Sequence, residues 1–209
     1  MKRLIKFGLA LAALAFVVPA AQAQTTETFT ATATVASSLT ITENTALSFG
    51  SLVVINDAVT PAVATGRVAP TGAFSVPTAP AGTNLIQTGT PTAGNFTINT
   101  GVTSFVNVEI TFPATTTLTN GAAPPGNGTF IVDRFQIAAP AAGTFTGTTA
   151  NLAACNTAIA AAGGDCQFVT SAGGLVTFAM GADIESNAGT STYIDGTYTG
   201  TYDITAAFF

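Results

Sequence analysis

The last fourteen residues, Gly196-Thr-Tyr-Thr-Gly-Thr-Tyr-Asp-Ile-Thr-Ala-Ala-Phe-Phe209, have the most regular side-chain pattern of the sequence. From Tyr198 to Phe208, every second residue is aromatic, aliphatic or glycine, and the positions between them are mostly threonine. A period of two is typical of a β-strand with one buried and one solvated face. Tyr, Ile, Thr and Phe also suit a pleated surface. The pattern predicts one strand that needs a neighbour on each side.

A second stretch near the other end has the same period. Its apolar side chains fall on odd positions and threonine fills the even ones; the apolar positions begin with Phe29, Ala31, Ala33 and Val35. We interpret this stretch as two strands, Thr28–Ala36 and Ser38–Thr42, or as one long strand that bends between them.

Between these stretches the sequence predicts short strands separated by Gly and Pro turns, for example at Leu47–Val54 and Thr129–Ile137. Asn151–Ala162 is the one segment that favours a short helix, because Leu152-Ala-Ala-Cys and Ile159-Ala-Ala-Ala are helix formers. Gly181–Asp195 is expected to be a loop. About ten short strands and at most one short helix predict an all-β fold, either an antiparallel sandwich or a barrel.

The first 23 residues have the pattern of a secretory signal peptide. Lys2, Arg3 and Lys6 precede the apolar run Phe7–Val18, and Ala21-Gln-Ala23 is a small-residue cleavage site. The run is too short to span a bilayer, and no later stretch predicts a transmembrane helix. We expect residues 24–209 to form a single exported domain that resides in the periplasm, on the cell surface or outside the cell.

The charge of the mature chain excludes several functions. Its only basic residues are Arg67 and Arg134, whereas all ten acidic residues of the sequence lie at or beyond Glu27. Nucleic acids and anionic lipid surfaces both require a basic footprint, so neither is an expected partner. The composition is apolar and poorly charged, which is the reverse of a disordered chain.

Cys155 and Cys166 are the only two cysteines. Because export leads to an oxidising compartment, a disulfide is the expected state, and it would add about 3 kcal/mol by chain entropy. The alternative is a metal-binding pair. Two thiolates with no histidine nearby make a poor zinc site.

Catalytic residue types are scarce. The sequence has no histidine and the mature chain has no lysine, which excludes Ser-His-Asp, Cys-His and Ser-Lys nucleophiles as well as a Walker loop. Asp183 and Glu185 alternate in phase and would suit calcium or a glycosidase, but two solvated loop acids are the simpler interpretation. We therefore expect no enzymatic activity, no cofactor and no metal.

The two terminal stretches together resemble a known group of proteins. The order is an alternating Phe29–Val35 strand, a short Leu39-Thr-Ile41 strand, Leu47-Ser-Phe-Gly50 and, far downstream, the Gly196 stretch. It is similar to secreted pilin-like domains of the spore coat protein U type and to archaic chaperone–usher pilins. It also resembles a related family of secreted bacterial domains of unknown function with the same L-x-F-G and G-x-Y-x-G-x-Y/F motifs.

The pilin resemblance implies an immunoglobulin-like sandwich that lacks its last strand and receives it from the next subunit. Residues 24–37 would hold the donor strand, with Phe29, Ala31, Ala33 and Val35 as the inserted side chains. The acceptor strand would present Tyr198, Tyr202, Ile204, Ala206 and Phe208. Pilins usually have a cysteine just after the donor strand, where this chain has Ser37-Ser38, and its own cysteines lie far downstream at Cys155 and Cys166.

The sequence therefore predicts a secreted, non-enzymatic surface protein, a pilin-like or structural subunit. Its expected partners are further copies of itself, by strand exchange, and a periplasmic chaperone. Two alternatives stay open: a small outer-membrane β-barrel, because the last stretch ends on the aromatic Phe209, and an extracellular carbohydrate- or calcium-binding module with Asp183 and Glu185 at its site.

Overall fold

The structure, a computed structural model, describes residues 38–55, 62–80, 82–102, 105–124, 127–160, 163–187 and 192–209, all within one compact unit, Ala36–Phe209. The predicted signal peptide and the predicted donor side chains Phe29, Ala31, Ala33 and Val35 lie outside the described residues.

The part of the chain that the structure describes contains thirteen strands and two short helices. The strands are β1 Thr40–Thr45, β2 Leu52–Ile55, β3 Thr65–Val68, β4 Phe74–Thr78, β5 Asn84–Gln87, β6 Gly94–Asn99, β7 Asn107–Thr111, β8 Thr115–Leu118, β9 Phe130–Ile137, β10 Thr144–Phe145, β11 Asp165–Val169, β12 Leu175–Ser186 and β13 Thr205–Phe208. The helices are a 3-10 turn at Gly147–Thr149 and α1 at Leu152–Ala160. The predicted all-β class with one short α-helix is confirmed.

All strand pairs are antiparallel and form three sheets. The largest has the order β1-β6-β12-β3-β4, with β9 also paired to β12 and β8 paired to β9. The second has the order β10-β11-β7-β13, and β2 and β5 form a separate two-stranded ribbon. Phe178 of the large sheet stacks on Phe168 of the second sheet with ring centroids 6.3 Å apart. The two sheets thus enclose one aromatic core, as a sandwich does.

Strand β12 is the centre of the large sheet. Its first half pairs with β6, its second half pairs with β3, and β9 pairs with it from Met180 to Ser186. A bulge between Gly181 and Asp183 re-aims the strand. A Cβ atom on Gly181 would lie 2.0 Å from the backbone oxygen of Val68, so only glycine fits where β3 approaches.

The expectation of a loop from Gly181 to Asp195 is wrong at its start, because β12 continues to Ser186. Main-chain bonds to β3 and β9 on both sides hold this half of the strand. Local sequence suggested a loop because Asp183 and Glu185 interrupt the apolar run. Their charges are neutralised by partners that are distant in sequence.

Helix α1 is stabilised by a cap at its first turn and is attached to the sandwich by two hydrogen bonds and a disulfide. The side chain of Asn151 accepts a hydrogen bond from Ala154 N–H at 2.9 Å and so caps the first turn. Asn156 exchanges two hydrogen bonds with the backbone of Ile137, at 2.8 and 3.0 Å. Cys155 and Cys166 form the predicted disulfide, which ties α1 to β11. No helix among the described residues is long and apolar enough to cross a membrane.

Candidate functional site

The last stretch of the chain lies alongside the segment that contains β7 and β8. Thr119 and Thr199 exchange two backbone hydrogen bonds of 2.9 Å beside β8, and Thr116 Oγ1 donates to Thr201 O at 2.5 Å. Further on, β13 pairs with β7 from Thr205 to Phe208. The stretch therefore passes from the edge of the large sheet to the edge of the second sheet.

The predicted single strand from Gly196 to Phe209 is thus divided in two, a bridge at Thr199 and the strand Thr205–Phe208. The division occurs because the segment beside it passes from the second sheet at β7 to the large sheet at β8. In the described ranges, no strand pairs with the outer edge of β13. Among the described residues, β13 therefore has a free edge with main-chain donors and acceptors.

The alternating side chains predicted for the acceptor strand mostly face inward. Tyr198, Tyr202, Ile204 and Ala206 are partly buried against the hydrophobic core, whereas Phe208 is 40% exposed. Tyr202 lies against Phe96 and Phe135, with centroid distances of 6.5 and 5.6 Å. The structure therefore brings four of the five predicted acceptor residues onto the core and leaves Phe208 at its border.

A cavity of about 660 Å³ opens beside this stretch. Residues 47–54 form one wall, and residues 193–200 with Tyr202 form the other. The floor contains the core residues Phe130, Val132 and Ile184. We call this cavity the groove. An opening that reaches core side chains between a loop and a strand edge has the shape expected of a strand-docking site.

The wall on the Gly196 side is held by tyrosines. The hydroxyl of Tyr193 accepts from Asn187 N–H at 2.6 Å and donates to Thr129 O at 3.1 Å. The rings of Tyr193 and Tyr198 pack on Phe130 with centroid distances of 4.7 and 5.1 Å. Burial raises the pKa of the Tyr193 phenol, so the hydroxyl remains a hydrogen-bond donor at physiological pH.

Tyr202 completes this wall. Burial, and after it the nearby negative charge of Glu43, raises the pKa of Tyr202 to about 12. All three tyrosines of the sequence therefore line the groove. Sequence reasoning missed Tyr193 and the wall formed by Leu47–Val54. The concentration of every tyrosine within residues 193–202 was the available signal.

Leu47–Val54 is not one strand as expected. Ser48 forms a bridge to Thr92, and β2 begins only at Leu52. Gly50 separates the two with a φ of +70°, and a Cβ atom there would lie 2.9 Å from the backbone of Thr90. The positive φ and this close approach together require glycine. The turn gives the groove its curved wall.

A second cluster of polar side chains lies within the large sheet, where Arg67 and Arg134 both meet Asp183. Asp183 is completely buried, and Arg67 donates to it through Nε at 2.5 Å and through Nη2 at 2.8 Å. Arg134 Nε lies 3.0 Å from the same carboxylate, and Arg134 Nη2 also bonds to Glu185. These are bidentate, charge-assisted contacts of the strong kind.

The cluster is crowded with negative charge. Asp133 lies 3.4 Å from Arg134 Nε. Burial raises the pKa of Asp133, and the charges of Glu185 and Asp183 raise it further, against the opposing effect of Arg134. The carboxylates that the sequence suggested for calcium or sugar binding are therefore engaged by guanidinium groups. Within the described residues, no group of three or more His, Cys, Asp or Glu is arranged to hold a metal ion.

The fold has a recognisable end where residues 1–37 join it. Ser38 lies beside Gly101 at the start of β1, and Thr100 N–H donates to Gly174 O, in the turn before β12, at 3.0 Å. We call this the Ser38 end. The groove lies towards the other end of β12, where Ile184 contributes to its floor. Twelve residues of β12 span about 40 Å at the usual rise per residue.

Strand β13 also ends at the Ser38 end. Phe209 N–H donates to Asn107 O at 3.4 Å, and Asn107 pairs with the last residue of β11, immediately before the turn that leads to β12. The final stretch therefore runs from the groove towards the Ser38 end.

These features define an all-β, disulfide-bonded sandwich with an open groove beside the final stretch and, among the described residues, a free edge at β13. Residues 39–208 match the family described as a domain of unknown function, DUF4402, and the chain belongs to this family. The matched range includes both the Leu47-Ser-Phe-Gly50 motif and the Gly196 stretch. No curated protein and no solved structure matches the chain.

Proposed function

We propose that this protein is a secreted, non-enzymatic surface subunit that assembles with further copies of itself by β-strand donation. Residues 1–23 would direct its export, and Thr28–Ala36 of one copy would insert into the groove of another. The observation that carries the proposal is the groove beside the final stretch, whose floor contains core side chains, together with the edge of β13 that no described strand pairs with.

The chemistry of the donor segment suits this groove. A strand added along the free edge would form main-chain hydrogen bonds there, and alternate side chains would fill the cavity. Phe29, Ala31, Ala33 and Val35 supply an apolar face of the required period, and the threonines between them supply a wettable outer face.

The position of Ser38 favours a donor from a neighbouring copy. A segment docked on its own sheet would reach β1 at the Ser38 end and would run parallel to the final stretch. A neighbour whose body lies at the groove end would instead insert its segment antiparallel. Antiparallel pairs are slightly more stable per residue, so exchange between copies is the favoured arrangement.

Residue types support a structural role over a catalytic one. The mature chain has no histidine and no lysine. Its two arginines both contact Asp183. Neither lines the groove, so the groove supplies shape, aromatic surface and main-chain groups, which suits binding of a peptide strand.

An SDS gel of protein purified from the periplasm tests the proposal. Unboiled wild-type protein should give a ladder that collapses to the monomer on boiling, because inserted strands resist detergent until heat unfolds the domain. Deletion of Thr28–Ala36 should abolish the ladder. A matched pair of substitutions sharpens the result: Phe29→Asp on the apolar face should abolish it, whereas Thr30→Asp on the outer face should leave it intact.

A wild-type monomer band under all conditions would exclude self-polymerisation. To separate that outcome from a missing assembly factor, a synthetic peptide covering residues 27–37 is added to the deletion variant. Binding of the peptide would support an acceptor groove that needs a chaperone for assembly, and absence of binding at millimolar peptide would refute the groove itself.

A further inference from the structure

Two groups of apolar side chains are exposed at opposite ends of the sandwich. The first group, here the terminal patch, lies at the Ser38 end and contains Val102, Phe105, Phe208 and Phe209, which are 37%, 71%, 40% and 52% exposed. The second group, here the ribbon patch, contains Val53, Ile55 and Ile86, which are 48%, 45% and 43% exposed. Exposed aromatic and branched residues gathered in patches are typical of interaction surfaces.

The ribbon patch lies beside the groove. Val53 pairs with Ile86 across the β2–β5 ribbon, so both side chains lie on one face, and Ile55 follows on the same face two residues later. The opposite face of this ribbon points to the protein, where Leu52 and Val54 pack on the core and Leu85 is buried. Both faces of the ribbon therefore carry apolar side chains, and among the described residues only the inner face is covered by the protein.

The terminal patch lies beside Ser38, the described residue that follows the predicted donor segment in sequence. Ser38 is the first described residue and is beside Gly101, next to Val102. Only Ser37 separates the predicted donor strand, which ends at Ala36, from Ser38. One linking residue spans at most about 4 Å, so a copy that donates its strand must bring its Ser38 end against the copy that accepts it.

We propose that the terminal patch of one copy packs on the ribbon patch of the next copy, in a head-to-tail contact. The inference rests on the proposed strand donation, which fixes the neighbour at the groove end, where the ribbon patch lies. The occupant of both patches is a second copy of this chain. The contact is heterologous, so each copy uses both patches and the assembly extends in one direction without closing.

An engineered disulfide tests the contact in the full chain. The only native cysteines are bonded to each other, so Phe105→Cys combined with Ile86→Cys adds one thiol to each patch. Under boiling, non-reducing conditions this variant should give a ladder that a reductant removes. The control combines Phe105→Cys with Ala160→Cys, an exposed position at the end of α1, and should give monomer after boiling.

The outcomes separate the contact from strand donation. An unboiled wild-type ladder together with no covalent ladder in the Phe105→Cys/Ile86→Cys variant would overturn the contact and leave strand donation standing. A wild-type protein without any ladder, together with a deletion variant that does not bind the peptide of residues 27–37, would overturn both. A further variant combines Phe105→Cys with Ala31→Cys. A disulfide formed between these two cysteines within one monomer would show that the chain's own residues cover the terminal patch, which also overturns the contact.

Introducing a charge into each patch gives a second test that does not depend on cysteine chemistry. Phe105→Arg alone and Ile86→Glu alone should each shorten the polymers seen by light scattering, and the double variant should restore their length because opposite charges then meet. Failure of the double variant to recover any length would count against the pairing of these two patches.

Discussion

Substitution of Asp183 by Asn should destabilise the protein by about 3 kcal/mol. Asp183 is completely buried and has three guanidinium nitrogens within 3.0 Å. Breaking a buried ion pair by removing one charge costs about 3–5 kcal/mol, because the remaining charge is left uncompensated. Arg67 and Arg134 are 34% and 41% exposed, so water partly rehydrates them and the lower end of that range applies.

Urea denaturation followed by circular dichroism measures this cost. For a domain of this size, each 1 kcal/mol lowers Tm by about 2–4 °C, so Tm should fall by about 6–12 °C. Asp203→Asn, the same substitution at an exposed position of the final stretch, is the matched control and should change stability by less than about 0.5 kcal/mol. A loss below about 1 kcal/mol for Asp183→Asn would refute a structural role of the cluster and would reopen a binding role for it.

Three further perturbations have definite expected results. Asp133→Asn should stabilise the protein at neutral pH. The pKa of Asp133 is raised in the folded state, so the folded protein binds the proton of this carboxyl more tightly than the unfolded chain does. The stability of the wild type therefore falls as the pH rises from the ordinary aspartate pKa of 3.8 through the raised pKa of the folded state. The urea unfolding midpoints of wild type and variant should therefore differ at pH 7 and lie closer together at pH 4. Reduction of the disulfide between α1 and β11 should cost about 3 kcal/mol, since it removes the constraint on the unfolded chain, as thermal melts with and without reductant would reveal. Gly128→Ala should cost about 1–3 kcal/mol and weaken the ladder, because a Cβ atom there would lie 2.7 Å from the Tyr193 ring; Gly121→Ala, with nothing within 4 Å, should do neither.

The groove and the charge cluster both involve the second half of β12, through Ile184 and Asp183. The cluster lies on the half of β12 that pairs with both β3 and β9, and it neutralises buried charge where the sheet is most enclosed. Ile184, which lies between Asp183 and Glu185 in sequence, points the other way and contributes to the groove floor. Because neighbouring residues of a strand face opposite sides, the cluster braces the strand whose other face the groove exposes. Substitutions in the cluster should therefore affect strand docking indirectly, through stability.

Local pattern in the sequence was enough to predict the class of fold. Side chains that alternate with period two predict strands wherever one face is buried and the other wet. The predicted strand Thr129–Ile137 agrees with β9, Phe130–Ile137, to within one residue. The Ala-rich segment containing Cys155 predicted α1, and two cysteines in a chain with a predicted export signal predicted their own bond. Each of these properties depends on residues close in sequence or on composition alone.

The tertiary structure alone decided the rest, because it depends on residues that are far apart in the chain. Asp183 is separated from Arg67 by 116 residues, so nothing local indicated that a charged residue would lie in the middle of the central strand. The final stretch appears continuous in sequence, but its neighbour changes sheets between β7 and β8 and divides it. The groove likewise requires Leu47–Val54 to face residues 193–202. Periodicity specifies which face of a strand is buried, but only long-range pairing specifies what covers that face and which edge is left free.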